Sequence, residues 1–149
     1  MIQRKQPVFM LLALAALIVC LCLPIGSVEP KGMGADVLWY NFGVYFGSTF
    51  TARPLLFVDL VVVGALTFVN IFLYKRRRMQ MGICVGGIIL CLAWYGYYIF
   101  SALSDFASQG TFHAKFAVCL PFIAIIFLLM ARRGVKSDED LIKSMDRIR

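Results

Sequence analysis

Asp59 is the residue of this chain best placed to do chemistry. It lies in the apolar run 54–74, where a carboxylate costs a few kcal/mol to insert and so faces a partner or a wet cavity. Arg53, His113 and Lys115 fall at a similar depth, as do the hydroxyls of Tyr95, Tyr97 and Tyr98. Two readings stand. One is a proton, cation or ligand site near the outer face of a membrane; the other is structural, a buried ion pair or an interfacial carboxylate hydrated from the loop. His113 is the sole histidine, with only Thr111 and Lys115 beside it. A metal centre needs three or four converging ligands, so no metal is expected.

The five cysteines, Cys20, Cys22, Cys84, Cys91 and Cys119, all sit in apolar segments. An odd number in such places is no disulfide framework, and each is read as a small hydrophobe. Cys20 and Cys22 point about 200° apart on a helix and cannot bridge each other. A bridge from either to Cys119 is the one arrangement that would serve a quinone-linked thiol oxidoreductase. The aromatics Trp94, Tyr95, Tyr97, Tyr98 and Phe100, with those between Trp39 and Phe50, suit either a lipid or quinone pocket or an interfacial belt. The chain carries no Ser-His-Asp set, phosphate loop, paired carboxylates or dinucleotide fingerprint, so neither an enzyme nor a cofactor is expected.

The elements that must position these residues are membrane spans. The chain is 61% hydrophobic and 15% charged, with mean hydropathy +0.83; a soluble domain of this length could not hide so much apolar surface. A span needs about 20 apolar residues, and four stretches qualify, at about 7–24, 54–74, 81–103 and 111–131. Pro7 and Pro54 suit helix starts. Pro121 predicts a kink in the fourth span. The outer loop, 25–53, is either a short hairpin around Val37 to Phe46 or an irregular loop anchored by its aromatics at the headgroups. A cleaved signal peptide ending near Ile25-Gly26-Ser27 is the weaker reading of the first stretch.

Charge sets the orientation. Lys75-Arg76-Arg77-Arg78 open the cytoplasmic loop 75–80, and Arg132 and Arg133 open the tail 132–149. With Arg4, Lys5, Lys136, Lys143, Arg147 and Arg149, they place 12 of the 15 lysines and arginines on one side. Only Lys31, Arg53 and Lys115 are left outside, so both termini are cytoplasmic. The net charge of +7 is therefore a topology signal facing lipid headgroups; a basic stripe for nucleic acid is not what it describes.

In the tail, Gly134 reads as a helix end, and Ser137 with Asp140 as the capping box of a separate amphipathic helix. That helix carries Leu141, Ile142, Met145 and Ile148 on one face. In the third span, Gly82, Gly86 and Gly87 predict close helix packing, within the bundle or in a homo-oligomer.

Three blocks carry a resemblance. Met1-Ile2-Gln3-Arg4 runs straight into the first span. Tyr74-Lys75-Arg76-Arg77-Arg78-Met79-Gln80 joins spans two and three. Ala131-Arg132-Arg133-Gly134-Val135-Lys136-Ser137-Asp138-Glu139-Asp140-Leu141 leads to Ser144-Met145-Asp146-Arg147-Ile148-Arg149. Together they resemble a bacterial family of four-span membrane proteins, domain of unknown function 4293, over essentially the whole chain. The resemblance implies a topology, but no activity, substrate or cofactor.

The expectation is a single all-α membrane domain over 1–149, a multi-pass four-helix bundle in a bacterial inner (cytoplasmic) membrane. It would serve as a non-enzymatic accessory or scaffolding protein whose partners are membrane lipids and a protein or second copy. The alternative is a small transporter or lipid- or quinone-binding protein using Asp59.

Overall fold

The computed structural model describes residues 6–30, 34, 36–73, 76–106 and 110–146. Among these, four α-helices pack side by side: α1 (Gln6–Cys22), α2 (Leu55–Phe72), α3 (Arg77–Ser101) and α4 (Cys119–Asp146). Their buried positions step by threes and fours. On α1 they are Met10, Ala13, Leu17 and Cys20. On α2 they are Leu56, Leu60, Val63, Thr67 and Asn70. On α3 they run Gln80, Cys84, Gly87, Cys91, Trp94, Tyr98 and Ser101. A 3.5-residue repeat is the seam of a left-handed bundle.

The opposite faces are apolar too. Val61, Phe68 and Val69 on α2 and Ile89, Leu92 and Phe100 on α3 are exposed, as befits helices that meet hydrocarbon rather than water. Among the described residues, three helical stretches are long and apolar enough to cross a membrane: Leu55–Phe72, Arg77–Phe106 and Phe116–Met145. Pro7–Cys22 is a shorter apolar helix.

The all-α expectation is corrected by a five-stranded sheet at one end of the bundle. Its strands are β1 (Gly26–Pro30), β2 (Val37–Tyr40), β3 (Gly43–Phe46), β4 (Thr49–Ala52) and β5 (Gly110–Ala114). They pair antiparallel in the order β4-β3-β2-β1-β5. The loop 25–53 thus supplies four strands, and the hairpin around 37–46 forms with Val37 opposite Phe46. Gly47, at φ 60°, opens the two-residue turn into β4, a geometry that glycine adopts without steric cost. The expected fourth span is also corrected at its start. Residues 110–114 are β5, paired with β1 from Gly26 opposite Ala114 to Pro30 opposite Gly110. A 3-10 turn, Phe116–Val118, then leads into α4. Ile25-Gly26-Ser27 runs into β1, with the Ile25 N–H donating to Trp39 O at 2.8 Å.

Aromatic stacking joins sheet to bundle. The Trp39 ring from β2 stacks on Tyr98 at 4.9 Å, and Tyr98 stacks on Trp94 at 5.3 Å. Phe106 and Phe112 close the sides. Trp39, Trp94 and Tyr98 are therefore core, neither pocket nor belt. Asn41, fully buried in the β2–β3 turn, donates to Cys20 O at 2.7 Å and accepts from Trp94 Nε1 at 3.1 Å. It satisfies a carbonyl that the end of α1 leaves without a helical partner.

At the other end, Asn70 and Gln80 lock the α2–α3 turn. Each side-chain amide donates to the other's carbonyl at 3.3 Å. The tail does not form a separate helix. α4 runs unbroken through Gly134 to Asp146, because Val135 is buried with Met10, Cys84 and Ala131. That packing outweighs the ~1 kcal/mol cost of a glycine inside a helix. Pro121 falls in the first turn of α4, where its missing N–H breaks no bond, so the basis for a kink disappears.

Candidate functional site

The site forms where the sheet hands the chain to α2. Only Arg53 and Pro54 separate β4 from α2. The Arg53 N–H donates to Phe42 O at 3.0 Å, pinning this junction to the β2–β3 turn. Its guanidinium pairs with the Asp105 carboxylate. Asp105 comes from Ala102–Phe106, a π-helical continuation of α3; such widened turns often mark functional positions.

Below this ion pair, a groove of ~550 Å³ runs between α2 and α3. Leu55, Val58 and Val62 form one wall, Leu90 and Tyr97 the other, with Arg53 at the mouth. Leu55 and Val58 are more than half exposed, so the groove opens sideways on the helix surface. Asp59 also lines it. Its Oδ2 is buried with no hydrogen-bond partner among the described residues. Arg53 and Asp59 are six residues apart, about 9 Å along a helix axis. An apolar trough with one buried acceptor and a guanidinium at its entrance is suited to an amphiphile.

Of the residues expected near Asp59, the structure brings only Arg53 and Tyr97 into this groove. His113 lies on β5, where its Nε2 stands 3.8 Å from Glu29 Oε2 on the outer face of the sheet. Lys115 is exposed just after β5. Tyr95 donates to Val118 O at 2.5 Å and Tyr98 to Ile25 O at 3.1 Å, both as structural ties. All five cysteines are free, with Cys20, Cys84 and Cys91 buried. Cys20 Sγ donates to Ala117 O at 3.4 Å. No cluster of three metal-ligating side chains occurs among the described residues.

The three glycines part company. A Cβ on Gly87 would lie 3.3 Å from Leu128 Cδ1, whereas Gly82 and Gly86 have nothing within 4 Å. Only Gly87 serves the contact inside the bundle.

The basic end is built by the first turn of α3 and by α4. Arg77 donates to Asp138 O at 3.0 Å, and Arg78 Nε lies 3.7 Å from Glu139 Oε1. Lys143 Nζ is 3.0 Å from the same oxygen. Arg76, Arg132 and Arg133 are exposed; Lys75 lies outside the described residues.

The family model described as a domain of unknown function, DUF4293, matches residues 2–148. The chain belongs to the DUF4293 family. No curated protein matches it. In this DUF4293 member, sequence reasoning picked out Asp59 and Arg53 and missed Asp105 and Asn41. Asp105 is the lone acid of a short polar turn, and Asn41 a lone amide among aromatics. Each was a visible oddity with no local partner to explain it.

The clasp at Glu139 carries a pH dependence. Its hydrogen bond from Lys143, with the charges of Lys143 and Arg78, holds the carboxyl below its ordinary value of 4.5. A lowered folded-state pKa stabilises above the unfolded value and is lost as pH falls through the folded one. Hydrogen exchange of residues 136–143 should therefore be flat from pH 7 to about 5 and faster, after correction for intrinsic rates, only below the ordinary carboxylate range. In Glu139→Gln that acid step should vanish. A step of unchanged size would assign it to another group.

Proposed function

We propose that this chain is a four-span integral protein of a bacterial inner membrane, with both termini in the cytoplasm, and that it binds an amphiphile in the α2–α3 groove without catalysing a reaction. The orientation rests on the basic end, where α2, α3 and α4 bring the loop and tail cations to one side. α1 is about 26 Å long at 1.5 Å per residue, short of the ~30 Å hydrocarbon core, but a packed helix tolerates that mismatch at modest cost.

The observation that carries the binding reading is the unpartnered Asp59 Oδ2 inside an apolar groove. Buried polar atoms are almost always paired, and a hydroxyl or ammonium of a membrane amphiphile would pair this one. An acyl chain would lie along Leu55, Val58 and Leu90. The Arg53 guanidinium at the mouth would meet a phosphate or carboxylate headgroup. The role is accessory: lipid holding or presentation. The exposed row Leu141, Ile142 and Met145 on α4 is the surface a protein partner or a second copy would use.

The test is native mass spectrometry of the protein extracted with its co-purifying lipids. A hydrogen bond to a charged group is worth about 1.5–3 kcal/mol, against about 0.5–1.5 for a neutral one. Asp59→Asn should thus lower lipid retention by about tenfold while thermal unfolding stays in place. Unchanged retention would sink the reading. Loss of the fold would return Asp59 to a structural role.

A further inference from the structure

The outer face of the sheet, turned away from the bundle, is divided in two. Trp39 and Val44 face inward and are buried, so the alternation of the pleat turns Leu38, Tyr40, Tyr45 and Phe50 outward. Tyr40, Tyr45 and Phe50 join Phe42 in one continuous ring cluster. Tyr40 and Tyr45 are 5.7 Å apart, Tyr45 and Phe50 4.9 Å, and Phe42 and Phe50 5.6 Å. Phe50 lies flat against Gly43, where any Cβ would collide with its ring and with Thr51 O. Across β1 and β5 the same face is polar, with Ser27, Glu29, Thr111 and His113.

Residues 37–52 contain no charged side chain, although β4 is exposed along its whole length. A water-facing edge strand is normally guarded by charge or proline, and this one has neither. Nor can the hairpin move far from the bilayer, since two residues separate it from α2 and Arg53 is hydrogen-bonded to its turn.

We infer that the aromatic half of this face, carried by β2, β3 and β4, is buried in the headgroup layer of the adjoining leaflet, while the β1–β5 half stands in water. The depth follows from two opposing demands. The rings favour the interface, where tyrosine can keep its hydroxyl wet. The unpaired backbone edge of β4 cannot enter hydrocarbon, because nothing there would satisfy its N–H and C=O groups. The hairpin therefore lies along the leaflet as a wedge and stops at the ester level. This placement is independent of whether the α2–α3 groove holds a ligand.

The test uses the full chain in vesicles of phosphatidylethanolamine with a minor share of phosphatidylglycerol. The two exposed thiols are removed as Cys22→Ala and Cys119→Ala, and spin labels are placed by Tyr45→Cys, Phe50→Cys and, as a water control, Thr111→Cys. The ratio of oxygen to nickel-chelate collision rates should be several-fold higher at 45 and 50 than at 111. Equal ratios would put the hairpin in water and overturn the inference. Low collision with both agents would mean a protein or second copy covers the rings, and would overturn it equally. Phe50→Trp keeps a ring over Gly43 and guards against unpacking. Its emission, above that of wild type, should be quenched by lipids brominated near the ester end more than by lipids brominated near the chain terminus. Absence of that order would also overturn the inference.

Discussion

Trp39→Ala is expected to destabilise the folded chain by about 3–5 kcal/mol, the range for emptying a buried aromatic site. Trp39 is 1% exposed and is the inward-facing ring through which the sheet rests on the bundle. It contacts Tyr98, Phe106 and Phe112 together, so collapse of neighbours cannot refill the space cheaply. The loss should be uneven. The helices keep their own seams, while the sheet loses its anchor, so protease cleavage within residues 26–52 should appear before the bundle unfolds in a denaturant series. Phe46→Ala, at the end of β3 and 36% exposed, is the control and should cost far less. Equal costs at the two sites would mean that the sheet is held by strand pairing alone.

Asn41→Leu is expected to cost about 2–6 kcal/mol despite similar volume. The substitution strands two buried groups, the Cys20 carbonyl and the Trp94 indole N–H, at about 1–3 kcal/mol each. A double-mutant cycle with Trp94→Phe isolates the indole bond, since phenylalanine removes the donor and keeps a ring. The two changes should be coupled by about 0.5–3 kcal/mol. Additive losses would show that Asn41 acts through Cys20 alone. Asn41→Asp keeps the acceptor for Trp94 but turns a carboxylate toward the Cys20 carbonyl, so it should rescue little.

The helices were legible because their inner faces repeat at 3.5 residues inside runs apolar on every side. The cations were legible as clusters at the ends of apolar runs, a pattern visible without any knowledge of the fold. The sheet was harder. Its longest-range pairing, of β1 with the edge strand β5, joins Gly26 to Ala114, and neither Gly-Ser-Val-Glu-Pro nor Gly-Thr-Phe-His-Ala announces a strand by composition. Only the β2–β3 hairpin, with its alternating apolar residues and short turn, had a local signature.

Gly134 misled for the opposite reason. Its local chemistry says helix end, and burial of Val135 overrides it. At the site, Asp59 stood out as a charge in an apolar run. Its neighbourhood did not, because Arg53 and Asp105 are 52 residues apart and nothing near either one names the other. His113 and Lys115 were grouped with Asp59 by depth alone, and depth does not say which side of a bundle a residue is on.

The pairing of β1 with β5 also dictates an order of assembly. β1 leaves the ribosome about 80 residues ahead of its partner, roughly 4–16 s at ordinary elongation rates. During that interval α2 and α3 are made, and one edge of β1 stays bare. The sheet can close only when residues 110–114 arrive, and a short 3-10 turn then carries the chain from β5 into α4. The last helix is thus latched from outside the bundle. A translation pause after α3 would lengthen the exposure of that edge and would be the moment at which a chaperone, or a second copy, could take the place of β5.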